Sequence, residues 1–249
     1  MNTDPGSSAV LSLRNIHKRF GGVVAIRDFS MDLGAGEIVA LVGDNGAGKS
    51  TLVKVISGVF PPSSGSMAMD GNAVSFANSS AARRRGIEVV YQDLALANQQ
   101  PVYMNLYLGR ELRNPRTGLL DRRRMITESE QLVRDLDVNL PNVRARIRDM
   151  SGGQRQGVAI ARATHFARKL ILLDEPTAAL GVAETAKVES IIDSLRARGL
   201  SILMISHSLD QVFRLADRIT VLRRGQQVAT RDANGTDKNE IVSMITGLH

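Results

Sequence analysis

Hydrophobic residues along the chain fall into two kinds of segment that alternate. Continuous apolar runs, such as 38–42 and 170–173, are typical of strands buried on both faces of a sheet. Other segments, such as 184–198, repeat apolar residues every three or four positions, which predicts amphipathic helices. Because strands and helices alternate in the second half of the chain, the pattern predicts an α/β domain whose parallel sheet is covered by helices on both faces.

The same pattern gives each predicted element its bounds. Strands are predicted at 10–16, 23–33, 37–42, 87–91, 170–173, 200–205 and 219–222, and helices at 49–57, 102–108, 127–136, 154–166, 184–198, 208–216 and 238–246. Thr127 and Glu130 have the spacing of a capping box, which indicates a helix that begins near Thr127. Residues 223–226, Arg-Arg-Gly-Gln, are predicted to form a hairpin turn.

The middle of the chain differs from both flanks. Its helical pieces are separated by turn-forming segments at 114–118 and 140–142, so we interpret 92–150 as a mainly helical subdomain inserted into the sheet domain. The predicted organisation is a flexible N-terminal tail at 1–9 and a single domain at 10–249, with its core at 10–91 and 151–249.

A glycine-rich segment lies between the third predicted strand and the first predicted helix. It reads Gly-Asp-Asn-Gly-Ala-Gly-Lys-Ser-Thr and fits the pattern G-x-x-x-x-G-K-[ST] of phosphate-binding loops. Its glycines let successive backbone N–H groups converge at the positive end of a helix, where Lys49 adds a cation and Ser50 a hydroxyl for Mg²⁺. The candidate nucleotide-binding residues are Gly43, Asp44, Asn45, Gly46, Ala47, Gly48, Lys49, Ser50 and Thr51.

Two acids end the apolar strand at 170–173. A carboxylate at this point, beside a phosphate loop, suits Mg²⁺, and we assign that role to Asp174. Glu175 follows directly and is the candidate to accept a proton from an attacking water or to orient it. Together with the phosphate loop, this pair of acids predicts nucleotide hydrolysis.

A second candidate anion site is the segment Ser151-Gly152-Gly153-Gln154, which precedes a predicted helix. It begins 102 residues beyond Lys49 and 23 residues before Asp174. With these motifs in this order, the chain resembles the ATP-binding cassette (ABC) ATPases, whose signature is Ser-Gly-Gly-Gln. The resemblance covers about 10–247. It implies an ABC-type P-loop ATPase domain with a mainly parallel sheet, an antiparallel β subdomain and an inserted α-helical subdomain.

The resemblance extends to single residues outside the main motifs. Phe20 resembles the A-loop aromatic that stacks on adenine, Gln92 the Q-loop glutamine, and His207 the switch histidine. ATP and Mg²⁺ are the implied cofactors. The implied catalytic residues are Lys49, Gln92, Glu175 and His207, and the implied metal contacts are Ser50, Gln92 and Asp174. The residues that the resemblance implies contact the nucleotide bound to the partner chain are Ser151, Gly152, Gly153 and Gln154. In the family, each ATP lies between the phosphate loop of one chain and the signature of the other.

One position departs from the family pattern. Gly181 stands where the family usually has an Asp that bridges the two protomers, although part of the sugar-import branch also has Gly here. We expect hydrolysis to survive and the coupling between the two sites to be altered.

Two regions are similar to the branch of the family that imports simple sugars such as ribose, xylose and fructose. They are the loop at 43–48 and the stretch 90–96 with the helix at 105–111. This branch implies an integral membrane permease as partner, an external binding protein that acts indirectly, and a peripheral position on the cytoplasmic face of the cell membrane. Because the chain holds one cassette, it is expected to form a homodimer or to pair with another cassette.

Composition excludes several kinds of functional site and membrane-spanning segments. The 249 residues include 32 Lys and Arg against 25 Asp and Glu, a net charge of +7, and no Cys or Trp. The lack of Cys excludes disulfides, thiolate zinc sites and cysteine nucleophiles. No apolar run reaches the ~18 residues needed to cross a membrane. Residues 1–8 lack the basic and apolar parts of a signal peptide, so we expect a cytosolic chain that is held at a membrane only by a partner.

Three arginine clusters leave a choice open: 83–85, 122–124 and the alternate positions 144, 146 and 148. Solvated helix faces are the favoured interpretation, with attraction to anionic lipid or to nucleic acid as alternatives. A soluble, nucleic-acid-linked ABC ATPase is the competing function. It is disfavoured because the chain has neither a long heptad insertion nor a cysteine zinc module, so we expect no nucleic-acid partner. The subunit of another importer or exporter, and a clamp that binds ATP but scarcely hydrolyses it, also stay open.

Overall fold

Ten strands and eight helices make up the computed structural model, which describes residues 9–247. The strands are β1 Leu11–Phe20, β2 Val23–Leu33, β3 Ile38–Val42, β4 Ser64–Met69, β5 Asn72–Val74, β6 Ile87–Val90, β7 Leu170–Asp174, β8 Ser201–Ile205, β9 Arg218–Arg223 and β10 Gln226–Asp232. The helices are α1 Lys49–Ile56, α2 Ser79–Arg84, α3 Val102–Leu106, α4 Arg122–Asp135, α5 Gly152–Phe166, α6 Val182–Ala197, α7 Leu209–Leu215 and α8 Lys238–Thr246. All but the last residue of the predicted tail at 1–9 lies outside the described residues.

All ten strands belong to one sheet, in the order β5-β4-β1-β2-β10-β9-β3-β8-β7-β6. From β9 to β6 the neighbours pair in parallel. Every residue of β3, β7 and β8 is buried, as expected for central strands covered on both faces. Because parallel strands end at the same edge of a sheet, the segments that follow β3, β6, β7 and β8 emerge side by side.

Side chains of β3 alternate between two hydrophobic cores. Ile38, Ala40 and Val42 face the core formed with α3 to α6, while Val39 and Leu41 face the core formed with α1 and the first two strands. This period of two is the geometry of a strand buried on both faces. Each fully buried aliphatic side chain contributes roughly 1.5–3 kcal/mol to stability, so the two cores hold the sheet rigid beneath its loops.

An antiparallel arm lies at the other end of the sheet. Strand β1 pairs with β2 and β4, and β4 pairs with β5, all antiparallel. Strand β10 forms the predicted hairpin with β9 and joins the arm through the single pair Gln226 and Arg27. The parallel core with its antiparallel arm and helices confirms the α/β fold that the resemblance implied.

The prediction for the start of α4 was wrong. The helix begins at Arg122, and its cap is Asp121, whose carboxylate accepts a hydrogen bond from the backbone N–H of Arg124 at 3.1 Å. Thr127 and Glu130 therefore lie inside the helix, and their spacing marks no cap. Strands β4 and β5 and helix α2 were not predicted, because their segments are short and only partly buried.

Among residues 9–247, no helix combines the length and the apolar character that crossing a bilayer requires. The predicted arginine clusters are exposed at each of their nine positions. The clusters at 83–85 and 122–124 lie at the end of α2 and the start of α4, as expected for solvated helix faces, whereas 144, 146 and 148 lie outside the α-helices.

Candidate nucleotide-binding site

The glycine-rich segment forms the connection between β3 and α1. Helix α1 begins at Lys49, and Gly48 precedes it with φ at 107°. Gly43 has φ at 150°, and a Cβ on it would overlap the backbone carbonyl oxygen of Leu222. A side chain at this point would thus strain the backbone and collide with β9. The loop takes its path because glycine alone fits where it leaves the sheet.

Lys49 is folded back into this loop. Its side chain is buried, and Nζ donates hydrogen bonds to the carbonyl oxygens of Gly43 at 2.7 Å and Asp44 at 2.9 Å. Burial lowers the pKa of Lys49, while the negative charges of Glu175 and Asp174 oppose that shift. The cation is therefore held inside a ring of backbone groups at the N-terminus of α1, where an anion is stabilised.

Asp174 ends β7, beside the start of α1. It is only 8% exposed. Burial raises the pKa of its carboxyl group, and a hydrogen bond with the Ser50 side chain acts in the opposite direction. Two oxygen groups, one from each element, thus meet at the mouth of the glycine-rich loop.

Glu175 turns sharply away from the strand. Its φ is 53°, in the left-handed region that residues with side chains rarely adopt, and its N–H donates to the carbonyl oxygen of Ile205 at 3.0 Å. Such strain persists only where the surrounding structure enforces it, and it is common at functional sites. The turn brings the Glu175 Oε1 atom 2.9 Å from Nε2 of His207. Two sequence-predicted residues, 32 positions apart in the chain, therefore touch.

Gln211 is a part of this site that the sequence analysis missed. Its side chain is buried, and Oε1 accepts hydrogen bonds from Ser206 at 2.9 Å and from Thr177 at 3.2 Å. It thereby ties the loop after β7, which carries Glu175, to the loop after β8, which carries His207. The sequence could have indicated Gln211, because it is a polar residue on the buried face of the short helix α7.

Phe20 lies at the end of β1 and is 42% exposed. Its ring meets that of Phe60 edge-on, with centroids 5.2 Å apart, and Lys18 Nζ lies 4.9 Å from its centroid. Strand β2 returns from this turn to the glycine-rich loop, since a Cβ on Gly48 would contact the carbonyl oxygen of Ala25. Phe20 pairs with Val23, two residues before Ala25, so its exposed ring lies at the end of the hairpin whose second strand contacts the loop. Phe60 and Lys18 are neighbours of this ring that the sequence did not indicate.

Gln92 lies two residues beyond β6 and is exposed. Val90 pairs with Leu173 across β6 and β7, so Gln92 leaves the sheet at the same edge as the acidic pair. The segment that follows is held from α5, where the Arg162 guanidinium donates to the carbonyl oxygens of Leu94 at 2.8 Å and Ala95 at 2.9 Å. The loop therefore connects the sheet edge with the helical region.

The segment 151–154 lies apart from these residues. Ser151 caps α5, and it forms a complete capping box with Gln154. Both Ser151 Oγ and the Gly153 N–H donate to the carboxylate of Glu184, at 2.8 and 3.2 Å. Across residues 9–247, no hydrogen bond joins 151–154 to 43–51. The cavity at Ser151, Gly153 and Gln154 shares no lining residue with the cavity at 44–47, so one chain carries two separate candidate phosphate sites.

Fold and site together define a P-loop nucleotide-binding domain. A family model described as "ABC transporter" matches residues 26–178. The chain belongs to the ABC transporter family, and it therefore binds nucleotide. This family membership confirms the resemblance that the motifs carried.

Relatives of known function extend the match to almost the full chain. The xylose/arabinose import ATP-binding protein of Sulfolobus acidocaldarius is 44% identical over 241 residues, covering 97% of this chain and 95% of that protein. The fructose import ATP-binding protein of Rhizobium meliloti is 40% identical, covering 96% and 94%. A ribose import ATP-binding protein of Burkholderia mallei is 42% identical, and there the match spans 96% of this chain but only 47% of the longer relative.

Solved structures agree on the fold. An ATP-binding cassette of an ABC transporter is 25% identical, with a TM-score of 0.83, over 95% of this chain and 98% of that one. A bacterial ABC transporter cassette solved as a dimer is 23% identical, with a TM-score of 0.77, over 91% of this chain and all of that one. At this identity the second comparison supports the fold alone.

Proposed function

We propose that this chain is the ATP-hydrolysing subunit of a simple-sugar importer and that it works as a pair of copies arranged head-to-tail. One observation carries the proposal: a single chain holds two halves of a nucleotide site that do not meet. The phosphate loop, with Asp174, Glu175 and His207 beside it, forms one half. The capped start of α5 at Ser151 forms the other. A second copy turned head-to-tail supplies the missing half to each.

The residues beside the phosphate loop fit Mg²⁺. Ser50 and Asp174 present oxygen atoms, the donors that Mg²⁺ prefers, and Ser50 lies close enough to oppose the raised pKa of Asp174. In the described part of the chain, no group of three or more His, Asp or Glu side chains is arranged to enclose a metal. Mg²⁺ does not need such a cage, because it usually keeps waters and takes phosphate oxygens. We assign Ser50, Asp174 and the loop residue Gln92 as its contacts; the bound ion would neutralise charge on the phosphate oxygens.

Hydrolysis would rest on groups at the edge of the sheet. Lys49 and the N–H groups of the loop bind the phosphates and stabilise the charge that develops on them. Glu175 would accept a proton from the attacking water or orient it, and His207, 2.9 Å from that carboxylate, would position it and contact the terminal phosphate. Phe20 offers its exposed ring to adenine.

The partner chain would close the site. Its Ser151 hydroxyl, its Gly153 N–H and the positive end of its α5 would contact the terminal phosphate, with Gly152 and Gln154 shaping that turn. ATP then holds two copies together, and removal of the terminal phosphate lets them part. Gly181, at the N-cap of α6, presents no side chain for a bridge between the copies, so we propose that communication between the two sites is altered.

The substrate class comes from the relatives, whose names specify import of xylose or arabinose, fructose and ribose. We propose import of a simple sugar through a membrane permease that docks near the Gln92 loop, at the cytoplasmic face of the membrane. An external binding protein would deliver the sugar. The functional units of this chain would be the core at 10–91 and 151–249 and the helical subdomain at 92–150.

Deletion of the gene, with uptake of radiolabelled monosaccharides as the readout, tests the proposed transport. We expect uptake of one sugar class to be lost and to return with the wild-type gene but not with a Glu175→Gln variant. Normal uptake of all monosaccharides in the deletion strain, together with ATPase activity stimulated by nucleic acid in the purified protein, would favour the nucleic-acid-linked alternative.

A further inference from the structure

Glu184 lies at the point where α6 meets the start of α5. It occupies the first turn of α6, and its Oε1 atom accepts hydrogen bonds from Ser151 Oγ at 2.8 Å and from the Gly153 N–H at 3.2 Å. These two donors are the ones that the proposed function assigns to the terminal phosphate of an ATP held on the partner chain. A carboxylate of the same protein therefore fills the position proposed for that phosphate.

The two anions cannot share these donors. The Ser151 hydroxyl has one proton, and its oxygen already accepts from the Gln154 N–H at 3.2 Å, so the proton is directed to Glu184. The Gly153 N–H likewise has one proton to donate. A phosphate oxygen at this helix end would also meet the negative charge of Glu184 at close range. Binding of the phosphate thus requires that the carboxylate leaves.

The carboxylate is charged, and two hydrogen bonds hold it at the start of α5. The hydrogen bonds from Ser151 and Gly153 lower the pKa of Glu184, so it is ionised at neutral pH. The residue is half-exposed. Lys187, one turn further along α6, lines the same cavity of about 100 Å³ and lies on the same side of the helix, where it can pair with a displaced carboxylate.

We propose that Glu184 is a placeholder for the terminal phosphate of ATP: it satisfies the signature donors in the separate chain and opposes closure of the two copies until ATP displaces it. This proposal rests on the proposed head-to-tail pair and deepens it. The contact makes closure sensitive to the terminal phosphate, because ADP has no phosphate group that reaches these donors. Nucleotide binding to the single chain does not involve Glu184.

The test uses ATP-dependent dimerisation of a chain in which hydrolysis is blocked by Glu175→Gln. Sedimentation at increasing ATP gives the concentration at which half of the protein is dimeric. Adding Glu184→Gln keeps the size of the side chain and removes its charge. We expect the half-dimerisation concentration to fall by about tenfold, since hydrogen bonds to an ionised group are stronger than neutral ones. ATP affinity at protein concentrations too low for dimerisation should not change.

Two controls separate the placeholder from a helix cap. Glu240→Gln neutralises an acid in the first turn of α8, which pairs with Arg231, and should leave the half-dimerisation concentration unchanged. Glu184→Asp keeps the charge but shortens the reach, and should shift the concentration in the same direction as Glu184→Gln. Thermal unfolding of each variant shows whether the chain is folded at the temperature used.

The outcomes are distinct. If the Glu175→Gln parent dimerises with ATP and Glu184→Gln requires the same or a higher ATP concentration, the placeholder is wrong and the proposed pair stands. If the parent stays monomeric with ATP, the head-to-tail pair is wrong and the placeholder is overturned with it. A lower ATP requirement for Glu184→Gln, with no dimer in ADP for either protein, supports the proposal.

Discussion

At the scale of single residues, the contact between Glu175 and His207 depends on one unusual backbone angle. With φ at 53°, Glu175 leaves β7 in the left-handed region, which directs its side chain to Nε2 of His207 at 2.9 Å. The strain is therefore part of how the site is built.

Replacing Glu175 by Gln removes the group that accepts the proton while preserving size. We expect the turnover of ATP to fall by roughly 10²–10⁴-fold, the usual contribution of a general base. ATP should still bind, because the phosphate loop and Lys49 are unchanged. Phosphate release and equilibrium binding of ATP, measured on the same preparation, check both parts. Undiminished turnover would remove Glu175 as the base.

Replacing Lys49 by Ala removes the buried cation at the centre of the phosphate loop. Two loop carbonyls hold its ammonium inside the proposed phosphate loop, so we expect nucleotide binding to be lost. Lys54→Ala is the matched control, because Lys54 lies in the same helix but is exposed. Titration with a fluorescent ATP analogue measures both affinities. Normal binding by Lys49→Ala would contradict the assignment of the loop.

Two glycines of the same loop should respond differently to Ala. At Gly43 a Cβ would overlap the carbonyl oxygen of Leu222, whereas at Gly46 no atom lies within 4 Å. Gly46→Ala should lower the free energy of unfolding by only about 1–2 kcal/mol, the usual cost of a left-handed residue with a side chain. Gly43→Ala should lose clearly more, because β9 must also shift. Urea unfolding measures the free energy of unfolding of both variants. Equal decreases would show that the overlap at Gly43 is relieved without cost.

At the scale of elements, α5 links the proposed phosphate contact at its N-terminus with the helical region that packs against its C-terminal part. Its N-terminus carries Ser151, and its C-terminal part packs His165 against Tyr107, with ring centroids 4.9 Å apart. Tyr107 is held in turn by a hydrogen bond from its hydroxyl to Glu128 of α4, at 2.5 Å. The start of α5 is thereby fixed relative to the helical region, which we propose moves with the permease.

The packing of His165 predicts a pH dependence of stability. Burial lowers the pKa of His165 below its ordinary value of 6.5, with Glu128 opposing the shift and Arg110 adding to it. The unfolded chain therefore takes up a proton at a higher pH than the folded chain, and this residue's contribution to stability falls as the pH drops below about 6.5. Urea unfolding at pH 7.5 and 5.5 should show a smaller loss in His165→Gln than in the wild type. An equal loss of stability in both proteins would mean that His165 does not contribute to the pH dependence.

At the scale of the whole molecule, the proposed pair predicts complementation between two defective chains. Lys49→Ala lacks a working phosphate loop, and Ser151→Ala lacks a signature donor. A mixed pair contains one site built from the intact loop of one chain and the intact signature of the other. ATPase activity of the mixture should therefore exceed the average of the two variants measured alone. Activity equal to that average would contradict the head-to-tail arrangement.

Short stretches of sequence were sufficient to predict much of the candidate site. The phosphate loop, the acidic pair and the capped start of α5 are each set by neighbouring residues, so glycine positions, a strand end and an N-cap were visible in the sequence. Helix α4 was misplaced because Asp121 and Thr127 are both good caps, and packing of the helix decides between them. Nothing local distinguishes the two.

The sequence by itself determined the class of fold, the order of the elements apart from β4, β5 and α2, and the chemistry of the motifs, because periodicity and turn residues act over short distances. Tertiary structure alone decided which distant residues meet. Gln211 bridges two loops, Phe60 stands beside Phe20, and Glu184 fills the donors of Ser151. Each of these contacts joins residues on separate elements, and their distance follows from how the sheet and helices pack, which no short stretch of sequence encodes.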